Sequence, residues 1–113
     1  MESRVLGNGS GLLPEDALPL IHELFKQYFP DYTIIDVFNA GGFYGFGVTM
    51  QKDNIRITFG GGRGYFDHSI LIEGKRYSLR DYDEIMKEVK STSEKNYRYA
   101  IIVLVRFLES IGR

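Results

Sequence analysis

The sequence predicts an α+β fold made of an N-terminal helix, a four-stranded antiparallel β-meander and two C-terminal helices packed on the sheet. One observation is a block between positions 41 and 64, which holds eight of the thirteen glycines interleaved with aromatic residues. Glycine enters positive φ without steric cost, and aromatic residues suit a pleated surface, so this block indicates short strands joined by turns. The other observation is the helical spacing of apolar residues on both sides of the block.

Length and composition indicate one domain. A chain of 113 residues with 43% hydrophobic composition can bury a core of its own. We expect that domain at residues 13–113, after a flexible N-terminal arm at residues 1–12 that has no long apolar run. The absence of cysteine excludes disulfides and fits a reducing compartment, so the predicted location is cytoplasmic.

The charge balance bears on the class of partner. Fourteen basic and fifteen acidic residues give a formal net charge of −1, without the basic excess that drives binding to phosphate backbones. The composition therefore argues against a nucleic-acid partner. The lack of a long apolar run argues against a membrane partner.

The first helix and the strands follow from local patterns. Apolar residues recur at helical spacing until Pro30, which predicts a helix over residues 19–29, entered through a turn at 14–18. Alternating or β-branched stretches predict strands at 32–38, 43–51, 55–59 and 65–72. The third strand runs into the glycines at 60–64, which we expect to form a hairpin loop. A turn at 73–75 and a short extension at 76–78 follow.

Two capped apolar stripes predict the C-terminal helices. Ser78 is positioned to cap a helix from Leu79 to about Lys90, and residues 91–94 have the capping-box pattern before a second helix that runs to Gly112. Residues 101–105 alone would suit a buried strand, but the capped start favours a helix. The side chains predicted to pack on the sheet are Tyr82, Ile85, Val89, Ile101, Leu104 and Leu108.

No residue pattern predicts catalysis, a metal site or a cofactor. Asp67, His68 and Ser69 hold the residue types of a nucleophilic triad, but neighbours on a strand point to opposite faces. We therefore expect His68 to lie on a sheet face with a backbone or tyrosine partner. The glycines at 60–64 have the composition of a phosphate cradle, yet a strand follows them where such cradles need a helix.

A binding surface is the site that the sequence supports best. Glycines at 45 and 47 leave one face of the second strand bare, and aromatic and arginine side chains are typical of protein interfaces. The alternative is that the first helix covers this face, with glycine permitting close approach. The predicted partner-binding residues are Phe43, Arg56, Arg63, Tyr65 and Asp67.

Three segments and the two-helix end carry a resemblance to a known class of proteins. Segments 48–50, 54–57 and 63–66 with this layout resemble the small, cysteine-free immunity proteins of bacterial contact-dependent or polymorphic toxin systems. The resemblance implies a non-enzymatic module that binds and neutralises a cognate toxin. Two alternatives remain open, a small-ligand or anion-binding domain that uses Arg56, Arg63, Tyr65 and His68, and an enzyme with an unrecognised site.

Overall fold

The computed structural model describes residues 11–113. In chain order the elements are α1 (Pro14–Tyr28), β1 (Thr33–Asn39), β2 (Phe46–Lys52), β3 (Ile55–Gly62), β4 (Tyr65–Ile72), β5 (Lys75–Tyr77), α2 (Leu79–Tyr82), a 3₁₀ helix (Glu84–Glu88) and α3 (Glu94–Ser110). All strand pairs are antiparallel, and the strands form one sheet in the order β1-β2-β3-β4-β5. The predicted α+β class with an antiparallel sheet is confirmed.

The predicted count of four strands is wrong because the turn after β4 is tighter than expected. Glu73 and Gly74 both have positive φ, at 53° and 80°, which matches a two-residue hairpin turn. Pairing therefore resumes at once, with Lys75 opposite Ile72 and Tyr77 opposite Ile70. Lys75, the last residue of the predicted turn, and the first two residues of the predicted extension form a fifth strand.

The long helix predicted from Leu79 to Lys90 is also wrong. The Asp83 side chain accepts a hydrogen bond from the backbone N–H of Ile85 at 2.8 Å, so it starts a new 3₁₀ helix where the pattern predicted continuation. The break turns Tyr82 and Ile85 outward, and they are 43% and 58% exposed instead of packed on the sheet. Of the predicted packing residues, those that are buried are Val89, Ile101, Leu104 and Leu108.

The two long helices begin at caps or helix-compatible residues. α1 begins at Pro14, earlier than predicted, with Glu15 and Asp16 in its first turn, and it continues through Pro19. Acidic side chains in the first turn stabilise the N-terminus of a helix. The prediction of a start at residue 19 did not take Glu15 and Asp16 into account. α3 begins after Ser93, whose Oγ accepts from the Asn96 N–H, and it includes residues 101–105 as predicted.

The helices pack on one face of the sheet. The ring centroids of Phe25 in α1 and Phe59 in β3 lie 5.3 Å apart. From α3, the Tyr97 hydroxyl donates to the Gly60 carbonyl at 2.8 Å, and burial raises the pKa of Tyr97 well above its ordinary value. The buried strand side chains on this face include Phe46, Val48, Met50, Ile57, Phe59 and Ile70.

The opposite face, here called the open face, is not packed against any helix of residues 11–113. Its side chains alternate along the strands with the buried set, and include Phe38, Thr49, Arg56, Thr58, Tyr65, Asp67 and Ser69. The first helix therefore covers the other face, and the alternative reading of Gly47 as a contact point for that helix is wrong.

The predicted N-terminal arm falls mostly outside the description. Its residues 1–10 lie outside the described residues, whereas Leu12 is fixed by a backbone hydrogen bond from its N–H to the Thr92 carbonyl at 2.8 Å. Of the helices in residues 11–113, none has the length and apolar character that crossing a bilayer requires.

Candidate functional site

A cavity of about 480 Å³ lies at one end of the open face, between the sheet and the loop at residues 40–45. We call it the aromatic cavity. Four of the five predicted binding residues line it, namely Phe43, Arg63, Tyr65 and Asp67. The remaining lining residues are Phe38, Tyr44, Gly45, Phe46, Gly61, Gly62 and Phe66.

A tight hairpin positions Arg63 at the cavity. Arg63 and Gly64 have φ of 56° and 80°, so the turn between β3 and β4 consists of two residues. Gly60, Gly61 and Gly62 are paired in β3, which makes the predicted glycine loop wrong and leaves them unable to act as the turn of a phosphate cradle. Their lack of side chains permits close approach instead, since a Cβ at Gly61 would lie 2.4 Å from a methyl carbon of Thr92.

The loop at residues 40–45 forms the outer wall of the cavity. The Ala40 N–H donates to the Gly45 carbonyl at 2.8 Å, and the Gly45 N–H donates to the Gly41 carbonyl at 2.9 Å. Gly41 and Gly45 have φ of 98° and 121°, conformations that side chains disfavour. This closed loop places Phe43 and Tyr44 side by side at its tip, with ring centroids 5.0 Å apart.

Arg63 joins the loop to the hairpin. Its backbone N–H donates to the Gly42 carbonyl at 2.6 Å, and its guanidinium carbon lies 4.3 Å from the centre of the Phe43 ring. Arginine stacked on an aromatic ring keeps its N–H groups available at the edge of the guanidinium plane. Among residues 11–113, Arg63 makes no salt bridge. The cavity therefore presents a positioned cation.

Asp67 supplies the opposite charge in the cavity. Its Oδ1 accepts a hydrogen bond from the His68 backbone N–H at 2.9 Å, and its side chain is exposed. Arg63 and Asp67 do not pair with each other, so the cavity has two separated charges between aromatic rings. Such an arrangement can orient a polar partner group as well as bury an apolar one.

Sequence reasoning missed two aromatic residues of the cavity. Phe38 lies opposite Gly47 in the β1–β2 register, and its ring packs where a side chain would be, since a Cβ at Gly47 would lie 2.8 Å from the Phe38 ring. The bare glycine could have signalled a ring from the adjacent strand. Tyr44 was assigned to the second strand, but that strand begins at Phe46, which leaves Tyr44 81% exposed in the loop.

Arg56 is the predicted site residue that the structure does not bring to the cavity. It lies on the open face in β3, where its Nε and Nη2 donate to the Gln51 Oε1 at 3.1 and 3.0 Å. This contact holds the guanidinium beside β2, nearer the opposite end of the strands from Arg63.

His68 faces the helices and is not part of the cavity. Its Nε2 accepts a hydrogen bond from the Leu79 backbone N–H at 3.0 Å, which confirms the expected backbone partner and leaves the proton on Nδ1. Burial, with a contribution from the nearby Arg80 charge, lowers the pKa of His68 to about 4, while Asp67 opposes the shift. Ser69 instead accepts from Arg76, so no triad forms.

The described residues offer no metal centre, since residues 11–113 contain no group of three or more histidine, aspartate or glutamate side chains placed to hold an ion. Comparison of the chain with protein-family models, curated proteins and solved structures finds no match.

Proposed function

We propose that the protein is a non-enzymatic protein-binding module whose interface is centred on the aromatic cavity, and that it acts as an immunity protein that neutralises a cognate toxin. The observation that carries the proposal is the exposure of four aromatic side chains around one cation. Phe38, Phe43, Tyr44 and Tyr65 are 43%, 58%, 81% and 49% exposed. A sheet face without a covering helix has no folding need for that much exposed aromatic surface.

The side chains of the aromatic cavity suit a protein partner. Tyrosine and arginine are enriched among the residues that dominate binding energy, because they combine apolar area with directed hydrogen bonds. The Arg63 guanidinium can bind a carboxylate through two N–H groups while the neighbouring rings contact apolar carbons. The partner we infer therefore presents an acidic side chain beside an apolar one.

The immunity role is the concrete form of this proposal. A protein that neutralises a toxin by occupying its surface needs shape and anchors rather than catalytic groups. The residues of the aromatic cavity supply anchors, and the one partly buried histidine of the sheet is held on the opposite face by the Leu79 N–H. The resemblance of segments 48–50, 54–57 and 63–66 to immunity proteins supports the same role.

A small-ligand or anion-binding function is the second candidate. The cavity volume of about 480 Å³ falls within the range typical of small-molecule sites, and Arg63 and Tyr65 both line it. His68 and Arg56 do not contribute to that ligand set, because the first faces the helices and the second contacts Gln51. A carboxylate or phosphate ligand would therefore rely on Arg63 as its cation.

A calorimetric titration against the purified product of the adjacent gene tests the proposal. We expect the wild-type protein to bind, and Tyr65→Ala or Arg63→Ala to weaken binding by about thirtyfold, since central anchors cost roughly 2 kcal/mol on truncation. Lys87→Ala, a truncation on the exposed 3₁₀ helix, is the control and should change binding little.

Arg56→Ala is a more closely matched control for Arg63→Ala, because it also removes an arginine side chain and Arg56 lies on the open face. Its guanidinium contacts Gln51 outside the cavity, so we expect a smaller loss of affinity than for Arg63→Ala. If the wild-type protein binds no adjacent gene product while a small anion raises its melting temperature in proportion to dose, the ligand-binding function replaces the one proposed.

A further inference from the structure

The two edges of the sheet differ in length and charge. β1 pairs with β2 along one side, and among residues 11–113 no strand pairs with its other side over Thr33–Asn39. β5, at the other edge, has only three residues, and two of them are Lys75 and Arg76. Short, basic edges resist pairing with another chain, whereas long apolar edges invite it. The edge of β1 is therefore the one open to strand addition.

β1 exposes apolar side chains on both faces of the sheet. Ile35, Val37 and Phe38 are 45%, 51% and 43% exposed. A bulge between Ile34 and Asp36 shifts the register, so the regular part of the edge is the stretch from Asp36 to Asn39. That stretch ends at the aromatic cavity, which Phe38 lines.

A groove runs beside β1 on the helix-covered side of the sheet. It has a volume of about 550 Å³ and lies between α1 and the first residues of β1. Its apolar lining includes Phe25, Phe29, Ile34 and Met50, with Lys26 at the same groove. The β1 residues of this groove, Thr33 and Ile34, precede the bulge, so an added strand paired with residues 36–39 would reach the groove only by continuing past Asp36. On the other side, alternate side chains of the added strand would lie on the open face.

We propose that β1 binds an extended segment of a partner protein as a sixth strand, with a basic side chain of that segment opposite Asp36 and an apolar side chain beside Val37. Asp36 is the only charged residue in β1, and it makes no salt bridge within residues 11–113. Opposite charges directly across a strand pair attract, and the strand backbone supplies the hydrogen bonds. The proposal rests on the proposed function, because Phe38 places the edge and the aromatic cavity in one surface.

The charge of Asp36 also argues against a second copy of this chain as the occupant. If β1 paired with itself about a two-fold axis over its whole length, Asp36 would lie opposite Asp36, and like charges at that position repel. If the pairing covered only residues 36–39, Asp36 would lie opposite Asn39, which offers no positive charge to attract it. Pairing β1 with β5 of another copy would leave most of β1 uncovered, because β5 has three residues and β1 has seven. A partner segment with a basic residue meets neither obstacle.

Selection from a displayed library of random peptides tests the proposal without the natural partner. Against the wild-type protein we expect enrichment of alternating apolar sequences that contain a lysine or arginine. Against Asp36→Lys we expect the basic residue to be replaced by an acidic one, and the wild-type peptides to bind roughly tenfold more weakly. Glu88→Lys, the same charge change on the exposed 3₁₀ helix, should leave the wild-type preference unchanged.

Amide hydrogen exchange of the protein with a selected peptide locates the contact. We expect new protection at residues 36–39. The proposal is overturned if the selection enriches nothing, if the enriched peptides bind Asp36→Lys as tightly as wild type, or if residues 36–39 gain no protection. Dimerisation in sedimentation that Val37→Lys abolishes would also overturn it, because the occupant would then be a second copy.

The same variants separate this proposal from the proposed function. If the adjacent gene product binds and Tyr65→Ala weakens it, but Asp36→Lys and Val37→Lys do not, strand addition fails and the proposed function stands. If selected peptides protect β1 while the adjacent gene product does not bind, strand addition stands and the proposed function fails.

Discussion

The two faces of the sheet use the same strands in opposite ways. On the helix-covered face Val48, Met50, Ile57, Phe59 and Ile70 are each fully buried. On the open face the same strands carry threonine, glycine, arginine and Tyr65, while the other exposed rings of the aromatic cavity come from β1 and from the loop at residues 40–45. Burial explains the first set completely, since apolar area removed from water is the main stabilising contribution to folding. Burial does not explain the exposed side chains of the open face, and we therefore assign the functional site to that face.

Truncation of a buried side chain in the helix layer over the covered face should give the largest effect. Leu104→Ala is expected to lower the free energy of unfolding by about 2 to 5 kcal/mol, because a fully buried leucine loses transfer energy and leaves a cavity. Ile85→Ala, at a 58% exposed position, is the matched control and should cost far less. Urea unfolding of both variants measures the contrast, and a similar loss in both would contradict the assignment of the core.

Acid should weaken the covered face through His68. Its pKa is lowered to about 4 in the folded protein, so the unfolded chain binds a proton more readily between about pH 6.5 and 4. Stability contributed by neutral His68 is complete above pH 6.5 and is lost as the pH falls toward 4. We expect a loss on the order of 2 kcal/mol between pH 8 and pH 5.

Urea unfolding across that pH range measures the effect, with His68→Gln as the control. The amide of glutamine does not titrate, so the variant should lose much less stability between pH 8 and pH 5. An equal dependence on pH in both proteins would show that other groups are responsible.

A smaller effect is expected at the hydrogen bond between α3 and β3. Tyr97→Phe leaves the buried Gly60 carbonyl without the hydroxyl donor, and should destabilise the protein by about 1 kcal/mol. Tyr44→Phe removes the same group from an 81% exposed ring and should be neutral. Thermal unfolding of the pair measures the difference, and identical midpoints would mean that this bond contributes nothing.

The smallest effect on stability is expected on the open face itself. Arg63→Ala should change the free energy of unfolding by no more than ~0.5 kcal/mol, as is usual for an exposed turn, although it removes the contact with the Phe43 ring. Urea unfolding beside Leu104→Ala provides the measurement. Equal urea midpoints for Arg63→Ala and Leu104→Ala would contradict the expectation that the open face contributes little to stability.

The sequence predicted what depends on local pattern and missed what depends on contact. Alternation along β2, β3 and β4 was sufficient for the three central strands, and the polar residues at 91–94 were sufficient for the start of α3, although its cap is Ser93 and not the first residue of the predicted capping box. The break at Asp83 was missed because an aspartate inside an apolar stripe can face solvent or cap a new turn, and here it also accepts from the Tyr99 hydroxyl. Spacing alone does not distinguish these outcomes.

The candidate site was predicted in composition and only partly in position. Phe43, Arg63, Tyr65 and Asp67 come together because one loop and one hairpin meet at the end of the sheet. Arg56 lies on the same face of the sheet as Tyr65 and Asp67, because side chains alternate along a strand. It lies near the start of β3, however, and Tyr65 and Asp67 pair with residues near the end of β3. Phe38 and Tyr44 depended on strand register and on where β2 begins, which a single sequence does not fix.

Amide hydrogen exchange of the protein, with and without the purified product of the adjacent gene, shows whether the aromatic cavity is the interface. We expect binding to slow exchange at residues 38–46 and 61–67, around the aromatic cavity, while amides of α3 keep their rates. Protection confined to residues 79–88, where Tyr82 and Ile85 are also exposed, would contradict this expectation, as would unchanged exchange throughout the chain.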